Sequence, residues 1–144
     1  MYKTVTPKEA KGLLEGQDYQ YLDVRSEAEF SQDHAEGALN VPIAHMDPST
    51  GMRPNPDFLR VVEANFPRDA KLVVGCKSGG RSAQACELLS NAGYTDTVNM
   101  DGGFHGRYDA FGNLVQPGWT QERFPSSKAA AAGADYQSLA AKAK

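Results

Sequence analysis

An α/β domain with a largely parallel central sheet is the fold class that this sequence predicts, and three observations carry it. Short apolar runs alternate with segments of helical periodicity. The helical segments open on capping chemistry, before any tertiary argument is needed. No repeat of solenoid length interrupts the alternation.

Each element follows from local signals. In Thr6-Pro7-Lys8-Glu9, Thr6 can cap, Pro7 sits where a missing N–H costs nothing, and Glu9 can reach back to complete a capping box. A helix through Ala10, Leu13 and Leu14 follows and ends near Gly16. Tyr19 to Arg25 reads as a strand, so Asp23 and Arg25 fall at its end, and Ser26 with Glu29 opens a short helix over Phe30. Ala38 to Pro42 reads as a short strand, whereas His45 to Pro54, with Pro48, Gly51 and Pro54, reads as a loop. Asn55-Pro56 caps a helix from Asp57 to about Asn65, along which Phe58, Val61, Val62 and Phe66 recur at helical spacing. Lys71 to Gly75 is a compact apolar strand. A helix from about Arg81 to Ala92 carries Ala85, Leu88, Leu89 and Ala92 and is closed by Gly93. Thr97 to Met100 is a further strand, after which Asp101-Gly102-Gly103 breaks the chain.

The 144 residues should form one domain, long enough to bury about 68–70% of the unfolded chain's surface without metals or disulfides. Trp119 argues by its apolar bulk that the fold extends to about residue 125. The remaining segment, 126–144, holds eight alanines and three lysines with Asp135 as its only acid, and reads as either a loosely docked helix anchored by Tyr136 and Leu139 or a disordered tail. A net charge of −3, with 40% hydrophobic and 23% charged residues, gives no electrostatic reason to expect nucleic acid or an anionic membrane as partner. No apolar run is long enough to span a bilayer, and Met1 to Val5 lacks the apolar stretch of a secretory signal, so the expected location is cytoplasmic. Two cysteines, Cys76 and Cys86, are too few for a disulfide scaffold and are expected reduced. His34, His45 and His105 show no metal-ligand spacing, so neither a metal nor another cofactor is implied.

The chemistry concentrates in Cys76-Lys77-Ser78-Gly79-Gly80-Arg81-Ser82, between a buried strand and a helix. Open α/β sheets place their ligands at such strand ends. The glycines allow backbone N–H groups to converge on one point, and the helix adds roughly half a positive charge at its N-terminus. A free thiol's pKa of about 8.5 falls to about 3.5–7.5 in such surroundings, so Cys76 is expected to be ionised and nucleophilic. Lys77 and Arg81 supply cations, and Ser78 and Ser82 supply hydroxyls for the thiolate or a bound oxyanion. Cys86 lies on the helical stripe of Ala85 and Leu89 and reads as a core thiol.

The sequence resembles the single-domain rhodaneses. The resemblance rests on Tyr21 to Arg25, Glu29-Phe30, His34 to Pro42, Val73 to Ser82 and Asp101-Gly102-Gly103, in that order, and runs from about residue 4 to residue 124. It implies a central, mostly parallel five-stranded sheet with helices on both faces. It also implies a thiosulfate sulfurtransferase, in which Cys76 takes sulfur from a small anionic donor, holds it as a persulfide and passes it to cyanide or a thiol. Lys77, Ser78, Gly79, Gly80, Arg81 and Ser82 would bind the donor, with Lys77 and Arg81 orienting it. Asp23 and Arg25 would brace the loop as an ion-paired strand end, and His34 would be structural. His105 is left open, because its loop could face the cysteine.

Two other readings compete. One is a cysteine-dependent phosphatase, but those enzymes place one more residue between cysteine and arginine than the four found here, and commonly a histidine where this chain has Gly75. The other is a binding module or a persulfide carrier serving a sulfur-accepting protein. Three features depart from the family pattern: Ala35, the long connection from His45 to Asn55, and the segment from Phe104 to Trp119, with Arg107 and Tyr108. Both long segments could overhang the site.

Overall fold

The computed structural model describes residues 2–144, so Met1 lies outside it. In chain order the elements are β1 (Lys3–Val5), α1 (Pro7–Gly16), β2 (Gln20–Asp23), α2 (Glu27–Gln32), β3 (His34–Ala35) and β4 (Leu39–Asn40). Next come β5 (Ala44–Asp47), β6 (Gly51–Pro54), α3 (Phe58–Asn65), β7 (Leu72–Gly75), α4 (Gly80–Asn91) and β8 (Thr97–Met100). The chain ends with β9 (Arg107–Tyr108), β10 (Leu114–Gln116), β11 (Ser126–Ser127) and α5 (Tyr136–Ala141).

Five strands form one parallel sheet in the order β1-β8-β7-β2-β4. Alternation along each strand feeds two cores, as the period of two requires. Leu22, Leu72 and Val74 face Phe58, Val62, Cys86, Leu89 and Leu139, which α3, α4 and α5 contribute. Tyr21, Val73, Val98 and Met100 face Ala10, Phe30, Phe104 and Trp119 on the opposite side. Both predicted capping boxes are present, Thr6 with Glu9 and Ser26 with Glu29.

Several strands differ from the sequence reading. The stretch read as a loop from His45 to Pro54 is an antiparallel hairpin of β5 and β6, with Ala44 opposite Pro54 and Asp47 opposite Gly51. The edge strand β1 was not marked by any local signal. The segment from Phe104 onward carries a small antiparallel pair, β9 with β10. At the C-terminus, β11 pairs with β3. Beyond it α5 packs on α3, with Tyr136 and Leu139 buried. Asp135 caps α5 by accepting from the Ser138 N–H.

Candidate functional site

Central strand β7 delivers Cys76 to the C-terminal edge of the sheet, and α4 begins four residues later at Gly80. Gly79 makes the turn at φ +127°, a left-handed conformation that a side chain rarely adopts. The turn aims the Gly79 N–H at Cys76 Sγ, 3.0 Å away, and the Ser82 hydroxyl lies 3.4 Å from the same sulfur. Cys76 and Ser82 are buried, whereas Lys77, Ser78 and Gly80 are exposed. Gly75 leaves room for Tyr21, since a Cβ there would stand 2.7 Å from the tyrosine oxygen.

A second turn holds the loop in shape. The N–H groups of Phe104, His105 and Gly102 donate to the carbonyls of Cys76, Lys77 and Ser78, at 2.8, 2.9 and 3.1 Å. With three successive carbonyls drawn to that turn, the loop is held in the shape that aims the Gly79 N–H at the sulfur. The close approach requires glycine. A Cβ on Gly103 would overlap the Cys76 carbonyl oxygen and lie 2.7 Å from the Lys77 carbonyl carbon, and Gly102 is likewise hemmed by Pro117.

The two loop cations expected to orient a donor, Lys77 and Arg81, stand in different surroundings. Arg81 is held by Glu29 in a two-point ion pair, Nη1 to Oε1 at 2.7 Å and Nη2 to Oε2 at 3.0 Å. Burial pushes the Glu29 carboxyl up, but its bonds with Arg81 and with Ser26 prevail and hold it at about 2. Lys77 has no ion-pair partner among the described residues. It lines a cavity of about 200 Å³ with Arg25, Glu29, Gln32, Asp33 and His105. His105 therefore faces this recess; burial, with the Arg25 and Lys77 cations, pushes its imidazole below the ordinary range.

Asp23 and Arg25 form a fully buried pair, Nη2 to Oδ2 at 2.7 Å. Arg25 also donates to the Asp33 carbonyl at 2.8 Å and lies over the Phe104 ring at 4.5 Å, so it ties the end of β2 to the bracing turn. His34 is buried, stacked on Phe30 and bonded to the Phe30 carbonyl. Cys86 is a core thiol whose burial pushes it up to about 12. Trp119 is also core, packed edge-on against Tyr21 and Phe124. Of the Phe104-to-Trp119 segment, the beginning braces the loop, while Tyr108, Phe111, Leu114 and Val115 stand exposed. The residue that the sequence reading missed is Asn99 on β8, whose side chain meets Ser82 at 2.5 Å. Nothing local marks it, because only the packing of α4 on β8 brings the two together.

A buried cysteine at a glycine-rich strand-to-helix corner on this five-stranded sheet defines a class, and comparison with known proteins agrees. The chain belongs to the rhodanese-like domain family, which it matches over residues 6–110. It is similar to thiosulfate sulfurtransferase 16, chloroplastic, of Arabidopsis thaliana, with 48% identity over 92 residues, covering 64% of this chain and 74% of that protein. It is also similar to protein HIGH ARSENIC CONTENT 1, mitochondrial, of the same plant, with 42% identity over 108 residues, 75% of this chain and 63% of that one. Among solved structures, Rv0390 from M. tuberculosis superposes with a TM-score of 0.72 at 29% identity, covering 90% of this chain and all of that one. The names of the two plant relatives refer to chloroplast and mitochondrion and lend no support to a cytoplasmic location. No helix among the described residues is long and apolar enough to cross a membrane.

Proposed function

We propose that this protein is a sulfurtransferase that moves sulfane sulfur from thiosulfate, or a similar small anion, to cyanide or a thiol through a persulfide on Cys76. The observation that carries the reading is the sulfur itself, held by the Gly79 N–H and beside the Ser82 hydroxyl at the N-terminus of α4. A soft thiolate there attacks the outer sulfur of the donor. A new S–S bond forms, the bond from that sulfur to the sulfite group breaks, and sulfite leaves with the electron pair. The acceptor then attacks the terminal sulfur and returns Cys76 as thiolate. The persulfide is anionic as well, so the Gly79 N–H serves both half-reactions. Lys77, exposed on the loop and without an ion-pair partner among the described residues, attracts the donor, whereas Arg81, committed to Glu29, shapes the loop's flank.

The test pairs two assays: thiocyanate formation from thiosulfate and cyanide, and hydrolysis of an aryl phosphate. Thiocyanate formation with ping-pong kinetics, lost in Cys76→Ser, is the expected result. Phosphatase turnover without thiocyanate overturns the reading.

A further inference from the structure

Ser82 has one hydroxyl proton and three neighbours able to take it. Asn99 Oδ1 lies 2.5 Å from Ser82 Oγ, the Gly79 carbonyl oxygen 3.1 Å and Cys76 Sγ 3.4 Å. The shortest contact takes the proton, so the hydroxyl donates to Asn99 and turns a lone pair toward the sulfur. That suits a neutral thiol, whose S–H can donate to Ser82. An anionic sulfur would face a lone pair instead and would have to rely on the Gly79 N–H.

The packing of α4 on β8 makes this contact, and it does so by spacing. Ser82 and Cys86 are one turn apart on the helix, about 6 Å, and Thr97 and Asn99 are two residues apart on the strand, about 6.6 Å. Ser82 therefore meets Asn99 while Cys86 meets Thr97. Asn99 is 6% exposed, and its Nδ2 makes no hydrogen bond among the described residues. The two ends of an amide are nearly equal in shape but opposite in role. Turning the Asn99 amide over replaces the acceptor at Ser82 by a donor, and the hydroxyl proton is released to the sulfur.

We propose that Asn99 is a positioning residue of the sulfur site, its amide setting whether Ser82 accepts from a neutral thiol at Cys76 or donates to an anionic sulfur there. The proposal rests on Cys76 being the sulfur-carrying residue. Tyr21 from β2 and Arg81 and Cys86 from α4 interact electrostatically with Cys76, Lys77 adjoins it in the loop, and the test leaves all four in place.

Asn99→Asp keeps an acceptor and loses the donor, whereas Asn99→Leu loses both at similar size. Each is made alone and together with Ser82→Ala. The readouts are the pH profile of Cys76 alkylation by iodoacetamide, and kcat and KM for thiosulfate with cyanide. Asn99→Asp, which fixes the Ser82 proton on a carboxylate, is expected to move half-maximal alkylation upward by about one pH unit or more, as befits one charge-assisted hydrogen bond. It should lower kcat about tenfold, with KM for thiosulfate unchanged. Asn99→Leu takes the competing acceptor away, leaves the Ser82 hydroxyl free to donate to the sulfur, and should move alkylation downward. In the Ser82→Ala background Asn99→Leu should have no effect, and Asn99→Asp should keep only the part of its shift that its charge causes. An upward shift in Asn99→Leu, or shifts of equal size with and without the Ser82 hydroxyl, overturn the proposal. Asn99→Leu carries the test if Asn99→Asp does not fold. Should the wild-type protein form no thiocyanate, the sulfur-transfer reading fails while the alkylation profiles still decide the role of Asn99.

Discussion

Glu29 does two jobs with one carboxylate. Its Oε1 accepts from the Ser26 N–H and closes the box that starts α2, while both oxygens hold Arg81 at the flank of the Cys76 loop. Its carboxyl titrates at about 2 rather than near the ordinary 4.5, so its contribution to stability is complete above pH 4.5 and is lost as the pH falls through 2. Urea unfolding across that window should show a decline in stability that Glu29→Gln lacks; equal declines in the two proteins would show that the ion pair does not form. From the sequence, Glu29 was legible as a capping residue but not as the partner of Arg81. Ser26 is three residues away, whereas Arg81 is brought near only by the fold.

At the scale of elements, the site is a loop pressed against a turn. The three bonds from Gly102, Phe104 and His105 to the loop carbonyls require an approach that only glycine permits at position 103. Gly103→Ala should destabilise the protein by about 1–3 kcal/mol and reduce sulfur transfer far more than Gly37→Ala, whose Cβ would enter open space at a comparable positive φ. Chemical denaturation and the thiocyanate assay check this; equal losses in the two variants would remove the turn from the account. The helices and buried strands were legible because capping chemistry and apolar spacing are local. The edge strand β1 was not: Lys3 and Thr4 are exposed, and three residues carry too little pattern. The β5–β6 hairpin is legible in the sequence only as a loop, for a related reason. Asp47, which accepts from the Ser49 and Thr50 N–H groups, and Gly51 at φ +80° make a true turn, but the flanking strands are mostly solvent-facing and lack apolar alternation.

Across the whole molecule, the sheet separates two cores, and the chain's last helix closes one of them. Leu139, 2% exposed, packs with Tyr136 on the α3 side, Tyr136 accepts from Asn55 Nδ2, and Asn65 Nδ2 donates to the Leu139 carbonyl. Leu139→Ala should therefore cost about 2–4 kcal/mol in chemical denaturation; a cost below about 0.5 kcal/mol would mean that the helix does not stay docked in solution. Composition left this segment open, because an alanine-rich stretch is compatible with a docked helix or with none, and two apolar side chains decide the matter only once a receiving surface exists. The position of Cys76 was legible for the opposite reason: strand, cysteine, glycines and helix are contiguous in sequence. The proposed sulfur transfer depends on that one sulfur. Intact-mass measurement after thiosulfate treatment tests this most directly: a gain of one sulfur atom that persists in Cys86→Ser and disappears in Cys76→Ser is expected, whereas no gain, or a gain retained in Cys76→Ser, would contradict the persulfide on Cys76.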